Sequence, residues 1–326
     1  MAVLKDIAEA AGVSIRTVSR VLKGSGYVSA ECRRKVQETI DLLGYHPNKA
    51  ARSLKMRRSF EIVVIMGALD ELATAKLAAF ESHLRATEFD STVMFWDTKR
   101  RIARDMVRQI VERRPAAVAL FCRGESPTSS DIEECIVHGI PYVVFDSKVP
   151  ARDTVRIDRC QGVCEAIHYL AGQGRRNIAY VGSLGDRTRV DGYCEAVDAL
   201  GRRPLFITVK SRSGQYEAGI EAVQQMLSLR PRPDAVQVYS DEMAMGVLAG
   251  LHAAGLRVPD DVAVVGFDNR AFAAFAAPPL TTVAQPNEAV GRAAAAMLLA
   301  KIEGQAPPET GWSQTLPTSM VLRASA

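Results

Sequence analysis

The sequence predicts a small all-α helix-turn-helix head followed by an α/β body of two doubly wound lobes. Three observations lead there. Residues 1–58 carry 12 basic and 5 acidic side chains, a charge of +7, while the remaining 268 residues sum to −3. Within that basic head, apolar positions recur at helical spacing and are broken by glycines. From Phe60 onward, short apolar runs alternate with amphipathic stretches, the pattern of parallel sheets covered on both faces. The composition (326 residues, 48% hydrophobic, 24% charged, net +4) excludes disorder, collagen and low-complexity polymers as accounts of the whole chain. At roughly 100–200 residues per domain, the length suits two or three domains. The longest alanine-rich apolar stretches, such as Ala293–Ala300, fall short of the ~18 residues that cross a bilayer. No basic segment followed by an apolar one opens the chain, so a cytoplasmic protein without a membrane partner is expected.

In the head, Leu4, Ile7, Ala8 and Ala11 fall on one helical face, and Gly12 follows as a C-cap. Ser14 can cap a second helix whose inward face is Val18, Val21 and Leu22. Two short helices joined by a glycine-containing turn form a helix-turn-helix, and Ala8 is small enough for them to cross closely. A third helix is expected from the Ser29 cap to Leu43, with Val36, Ile40 and Leu43 inward and Gly44 ending it. A basic head on a mildly acidic body suits a polyanion partner, although charge alone would equally describe a solubilising tail.

Leu4-x-Asp6-Ile7-Ala8, Ala11-Gly12-Val13-Ser14 and Thr17-Val18-Ser19-Arg20-Val21-Leu22 resemble the lac-repressor (LacI/GalR) family of bacterial transcription regulators. So do Val28-Ser29 and Leu43-Gly44-Tyr45-x-Pro47-Asn48-x-x-Ala51-Arg52-Ser53-Leu54. The resemblance covers the head nearly residue by residue. It implies that the second helix enters the major groove of double-stranded operator DNA, a pseudo-palindrome bound by a homodimer. Ile15 and Arg16 then occupy the positions that set operator sequence, and a bidentate Arg–guanine pair is worth about 1–3 kcal/mol of discrimination. Arg20 resembles the family's base or phosphate contact; Ser14, Thr17 and Ser19 can donate hydroxyls to phosphates, and Tyr27 joins this DNA-facing set. Asn48 to Leu54 resembles the family's hinge, a helix too short to be stable alone that forms when two copies pair in the minor groove. Ala51 would let the two hinges approach, and Leu54 matches the apolar wedge that kinks the duplex. The domains are therefore expected as 1–46 (head), 47–58 (hinge helix or linker) and 59–326 (effector-binding and dimerisation body).

Strands are expected at Phe60–Met66, Thr92–Trp96, Ala116–Cys122, Tyr142–Phe145, Asn177–Val181, Leu205–Val209, Ala235–Tyr239, Val262–Phe267 and Thr281–Ala284. Helices are expected at Leu72–Glu88, Ile102–Arg113, Gly162–Ala171, Ala218–Leu229, Met243–Ala254 and Glu288–Ile302. Nine strands are many for one open sheet and suit two. The resemblance implies a periplasmic-binding-protein-like body, with an N-lobe of about 59–157 and 286–315 and a C-lobe of about 158–285 and 316–326, crossing near Ile157, Gln285 and Leu316.

Ligands of such sheets sit beyond the carboxyl ends of the strands. Asp146, Arg189, Asp241 and Asp268 stand at such ends or in the family's matching strings, Arg187-Thr188-Arg189-x-x-Gly192-Tyr193 and Gly266-Phe267-Asp268. Carboxylates and a guanidinium can each take adjacent hydroxyls of a carbohydrate-like effector. The plainer account of Arg189 and Asp268 is an ion pair, and Ser240-Asp241 is also a good helix start. The chain departs from the family pattern at Ser240, at Gly214 where an aromatic platform is usual, and at Met66–Asp70. Arg123, just past the third strand, would with Arg189 favour an acidic ligand, so the effector is read as a sugar or sugar acid. A repressor controlled allosterically by that effector is the expected function.

No G-x-G-x-x-G, G-x-x-x-x-G-K-[ST], G-x-S-x-G or H-E-x-x-H occurs, and the five histidines are scattered, so neither enzyme activity nor a cofactor is expected. The alternative is a sugar-binding module or sugar-processing protein without a gene-regulatory role, which the body alone would permit. The six cysteines include no C-x-x-C. Cys160 and Cys164 share a helical face, but no histidine or second cysteine pair completes a zinc set, so reduced thiols and no metal are expected. The C-terminal segment carries no heptads, so no coiled-coil tetramer is expected.

Overall fold

The computed structural model describes residues 2–23, 26–45, 53, 56, 58–95, 104–121, 137–146, 153–209, 214–305 and 312–326. The chain divides into two compact units, Met1–Ser59 and Phe60–Ala326.

The first unit holds α1 (Leu4–Ala11), α2 (Ile15–Lys23) and α3 (Ala30–Leu43). Gly12 ends α1 at φ 65°, a left-handed conformation open to glycine at little cost, and so turns the chain toward α2. Ser14 Oγ accepts the Thr17 N–H at 3.1 Å and Ser29 Oγ the Cys32 N–H at 3.3 Å, which caps α2 and α3. Ile7, Ala8, Val18, Val21, Val36 and Ile40 form the core. Leu43 does not face inward as expected; it is 39% exposed. α3 ends at Leu43 itself, and Tyr45, carried back by the turn at Gly44, packs on the core instead.

The second unit contains two six-stranded sheets. The first has the order β2-β1-β3-β4-β5-β11, from β1 (Glu61–Met66), β2 (Asp90–Phe95), β3 (Ala117–Phe121), β4 (Tyr142–Phe145), β5 (Thr154–Asp158) and β11 (Ser313–Pro317). The second has the order β7-β6-β8-β9-β10-β12, from β6 (Ile178–Val181), β7 (Phe206–Ile207), β8 (Ala235–Val238), β9 (Ala263–Asp268), β10 (Thr281–Ala284) and β12 (Ser319–Val321). Every pairing is parallel except β10 with β12. Parallel strands buried on both faces explain runs such as Ile62-Val63-Val64-Ile65, where alternation would be expected of a half-exposed sheet.

Helices cover both faces of each sheet. In the first lobe, α4 (Glu71–Leu84) and α10 (Asn287–Ile302) pack on one face through Phe80, Leu84, Val290 and Leu298. Ile110 of α5 (Arg104–Arg113) packs on the other. In the second lobe, α8 (Gln215–Ser228) and α9 (Asp241–Ala253) bury Ala222, Val223, Met243 and Val247 on one face. α6 (Arg159–Gly172) and α7 (Arg187–Ala199) bury Val163, Ile167, Val190 and Tyr193 on the other. The chain passes between lobes after Asp158, after Ala284 and at Thr318, the single residue between β11 and β12. Thr318 is fastened there: its hydroxyl donates to the Asp158 carbonyl at 3.1 Å, and its N–H to Gln161 Oε1 at 3.3 Å.

Twelve strands are present among the described residues, not nine. The three extra ones, β5, β11 and β12, are short, polar or at a sheet edge. β11 reads Ser-Gln-Thr-Leu-Pro and extends the first lobe to residue 317. α7, also unexpected from the sequence, carries three charged residues in its first five. α4 stops at Leu84, short of Glu88, and β7 has only two residues.

Candidate DNA-binding face and interlobe site

α2 presents its N-terminal residues outward. Ile15 is 49% exposed and Arg16 is exposed, one turn from exposed Arg20 on the same face, while Val18 and Val21 hold the opposite face in the core. The exposed half of the isoleucine is free to contact an apolar surface such as a thymine methyl. Tyr27, beyond α2, is 91% exposed. Thr17 and Ser19 are half-buried. The hydroxyls of Ser14 and Thr17 lie 2.9 Å apart, so one donates to the other and the second keeps its own O–H to give. Asn48, Ala51 and Leu54 of the expected hinge lie outside the described residues, as does Arg123.

In the body, Asp146, Arg189, Asp241 and Asp268 come together into one connected polar network where the lobes meet. All four are at most 5% exposed. The network begins in the first lobe, where Lys76 Nζ of α4 lies 2.9 Å from Asp146 Oδ2. Arg159, the first residue of α6, pairs with the same carboxylate and donates to Gln285 Oε1 at 3.3 Å. Gln285 donates in turn to Asp268, which also meets Arg189 Nη2 at 3.4 Å. Arg189 Nη1 is 2.6 Å from Asp186 Oδ2. The Arg189 guanidinium lies between the rings of Tyr239 (4.5 Å) and Phe267 (4.3 Å), where cation–π attraction adds to the ion pairs. Two direct contacts also join the lobes: Arg270 Nη2 to Asp70 Oδ2 at 2.9 Å, and the Ala271 N–H to Glu71 Oε1 at 2.8 Å.

The two lobes treat their carboxylates differently. Burial alone would push Asp146 upward, but Arg159 and Lys76 outweigh it and hold the carboxyl at about 2. Asp241 is pushed up to about 7 by burial, with Asp268 adding, against the opposing hydrogen bonds from Thr282 and the Arg270 N–H. Those bonds are 2.5 and 2.7 Å long. Ser240, not Asp241, caps α9, so the Asp241 side chain is left to fasten β10 and the turn after β9. Burial disfavours charge on Arg189, yet Asp268, Tyr239 and Asp186 raise its basicity further and keep it cationic. Among the described residues, each cation of this network faces a carboxylate.

Lys76, Arg159, Asp186, Gln285, Asp70 and Arg270 were not expected as site residues from the sequence, although Gln285 was expected at a crossover. Lys76 left a trace, as a lone charge inside the apolar run Leu72 to Phe80, where a buried cation needs a partner. Arg159 follows a strand that the sequence reading missed.

An exposed basic helix on a three-helix head, joined to a two-lobed body with a polar site between its sheets, defines a class: transcription regulators that pair a helix-turn-helix with a ligand-binding-type domain. The family described as bacterial regulatory proteins, lacI family, matches residues 3–48, and a periplasmic binding protein-like domain matches residues 167–326. The ribose operon repressor of Haemophilus influenzae is 31% identical over 335 residues, covering 100% of this chain and 98% of that one. Catabolite control protein A of Priestia megaterium is 30% identical over 305 residues, 90% of each chain. A solved lac repressor dimer bound to operator and the anti-inducer ONPF superposes with a TM-score of 0.83 at 27% identity, over 99% of this chain and 98% of that one. The chain belongs to the LacI family and is a DNA-binding transcription regulator. No helix among the described residues is long and apolar enough to cross a membrane.

Proposed function

We propose that the protein is a repressor that binds a pseudo-palindromic operator as a homodimer, without enzyme activity, in the cytoplasm. A sugar or sugar acid bound between the lobes sets its operator affinity. The observation that carries this reading is the outward display of Ile15, Arg16 and Arg20 on α2 while Val18, Val21 and Leu22 of that helix pack on the core. Asn48, Ala51 and Leu54 complete the DNA contacts as a hinge, and Asp146, Arg189, Asp241 and Asp268, with Arg123, supply the effector site. The network around the four described effector residues supports that role, because two of its links, Arg159–Asp146 and Arg270–Asp70, span the lobes. A polyhydroxylated molecule that replaces those links changes the angle between lobes, and with it the spacing of two hinges in a dimer.

Selection of genomic fragments by the full-length protein tests this. Expected is a symmetric footprint whose affinity falls steeply with salt, since phosphate contacts release counterions. Arg16→Ala should lose about 1–3 kcal/mol of discrimination at one base pair of each half-site. Removing residues 1–58 should abolish operator binding and leave the body folded. No preference for any fragment over random duplex overturns the proposal. Calorimetry with neutral sugars and sugar acids identifies the effector class, and a body that binds neither overturns the sensing half.

A further inference from the structure

Cys160 and Cys164 stand one turn apart at the start of α6, and Glu195 reaches them from α7. The Cys160 thiol is 3.4 Å from Glu195 Oε2, and donor atoms of all three residues lie within 4.8 Å of one another. The helices can approach this closely because residue 192 is glycine; a Cβ there would run into the Cys160 carbonyl. Cys164 donates its thiol to the Gly192 carbonyl at 3.0 Å. Both cysteines are free and half-buried, and Glu195 is exposed, so solutes can reach the cluster.

Sequence spacing offered only the cysteine pair; the fold supplies a third donor from 31 residues away. Tetrahedral zinc holds thiolate sulfur at about 2.3 Å and carboxylate oxygen at about 2.1 Å, which places neighbouring donors ~3.5 Å apart. The Cys160–Glu195 separation already has that value. We propose that Cys160, Cys164 and Glu195 form a binding site for a thiophilic divalent cation of the zinc class. Binding breaks two S–H bonds, releases both protons to solvent, and forms two metal–sulfur bonds and one metal–oxygen bond, leaving a fourth position to water. The cation fastens α6 to α7, the helices that carry Arg159 and Arg189.

The test uses reduced, chelator-treated full-length protein. Cadmium titration should raise a sulfur-to-metal charge-transfer absorption that saturates at one equivalent per chain. Zinc, competed against a chromophoric chelator, should bind with a Kd on the order of 1 μM or tighter. The double variant C160S/C164S should lose the absorption while keeping its metal-free circular dichroism and unfolding midpoint. Glu195→Gln, at an exposed position, should keep the absorption but weaken zinc about tenfold or more. The proposal is overturned if the absorption survives in C160S/C164S, which would assign it to the other cysteines. Unchanged zinc affinity in Glu195→Gln, or no stoichiometric binding by the unaltered protein, overturns it equally.

Discussion

Asp146 and Asp241 show how two carboxylates near strand ends acquire opposite characters. Asp241 has its carboxyl raised from 3.8 to about 7, so the native state binds a proton there more tightly than the unfolded chain. Its contribution to stability is complete below pH 4 and is lost as pH rises through 7. Asp241→Asn should therefore flatten the decline in urea-unfolding free energy between pH 4 and 7. Asp146 has the reverse sign: held at about 2, it stabilises the fold above pH 4 and loses that effect as pH falls through 2. Asp146→Asn leaves Lys76 and Arg159 buried without a counter-charge and should cost about 3–5 kcal/mol at pH 7. That difference should shrink in acid, where the parent's own carboxyl protonates. Arg189→Ala strands Asp186 and Asp268 in the same way, with a comparable loss in unfolding free energy, and should abolish effector binding in calorimetry. The four described effector candidates were legible because they follow apolar runs or sit in family strings. Their partners were not: Lys76 meets Asp146 only once α4 packs on the first sheet, and Gln285 meets Asp268 only once β9 and β10 pair.

At the scale of the element, the head is the most fragile part of the chain. Its core has six buried side chains, two of them from α2. Small units bury little of their surface, so each such residue weighs heavily. Val18 is fully buried, and Val18→Ala removes two methylene-sized groups worth about 2 kcal/mol. That change should melt the head first, seen as lost helical circular dichroism and lost operator binding, while the body's unfolding transition stays in place. The three head helices were readable because caps and glycines bracket them in sequence. β5 and β12 were not, being short with only two apolar residues each; nor was β11, because an edge strand made largely of Ser, Gln, Thr and Pro has neither the apolar run nor the alternation that marks a strand. Its partner strand, not its composition, makes it one.

For the whole molecule, the Arg270–Asp70 pair is a solvent-accessible ionic clasp between lobes, with side chains at 14% and 29% exposure. Asp70 also caps α4 by accepting the Ala73 N–H at 2.9 Å, a duty asparagine can take over. Asp70→Asn therefore isolates the loss of charge. It should cost about 1 kcal/mol or less in stability yet favour the open arrangement of the lobes. The expected reading is a larger radius of gyration in small-angle X-ray scattering of the body, reversed by saturating effector. The two-sheet architecture was legible because nine apolar runs overfill one sheet. The clasp was not, because it joins residues 200 positions apart.

Thr318 carries a consequence for motion. One amino acid separates the last strand of one half from the last strand of the other, and hydrogen bonds on both its sides stitch it to the beginning of α6. A tether with no slack lets the halves swivel but denies them the freedom to drift apart. Relative motion of the two halves is therefore a change of torsion, much as a door turns on its pin.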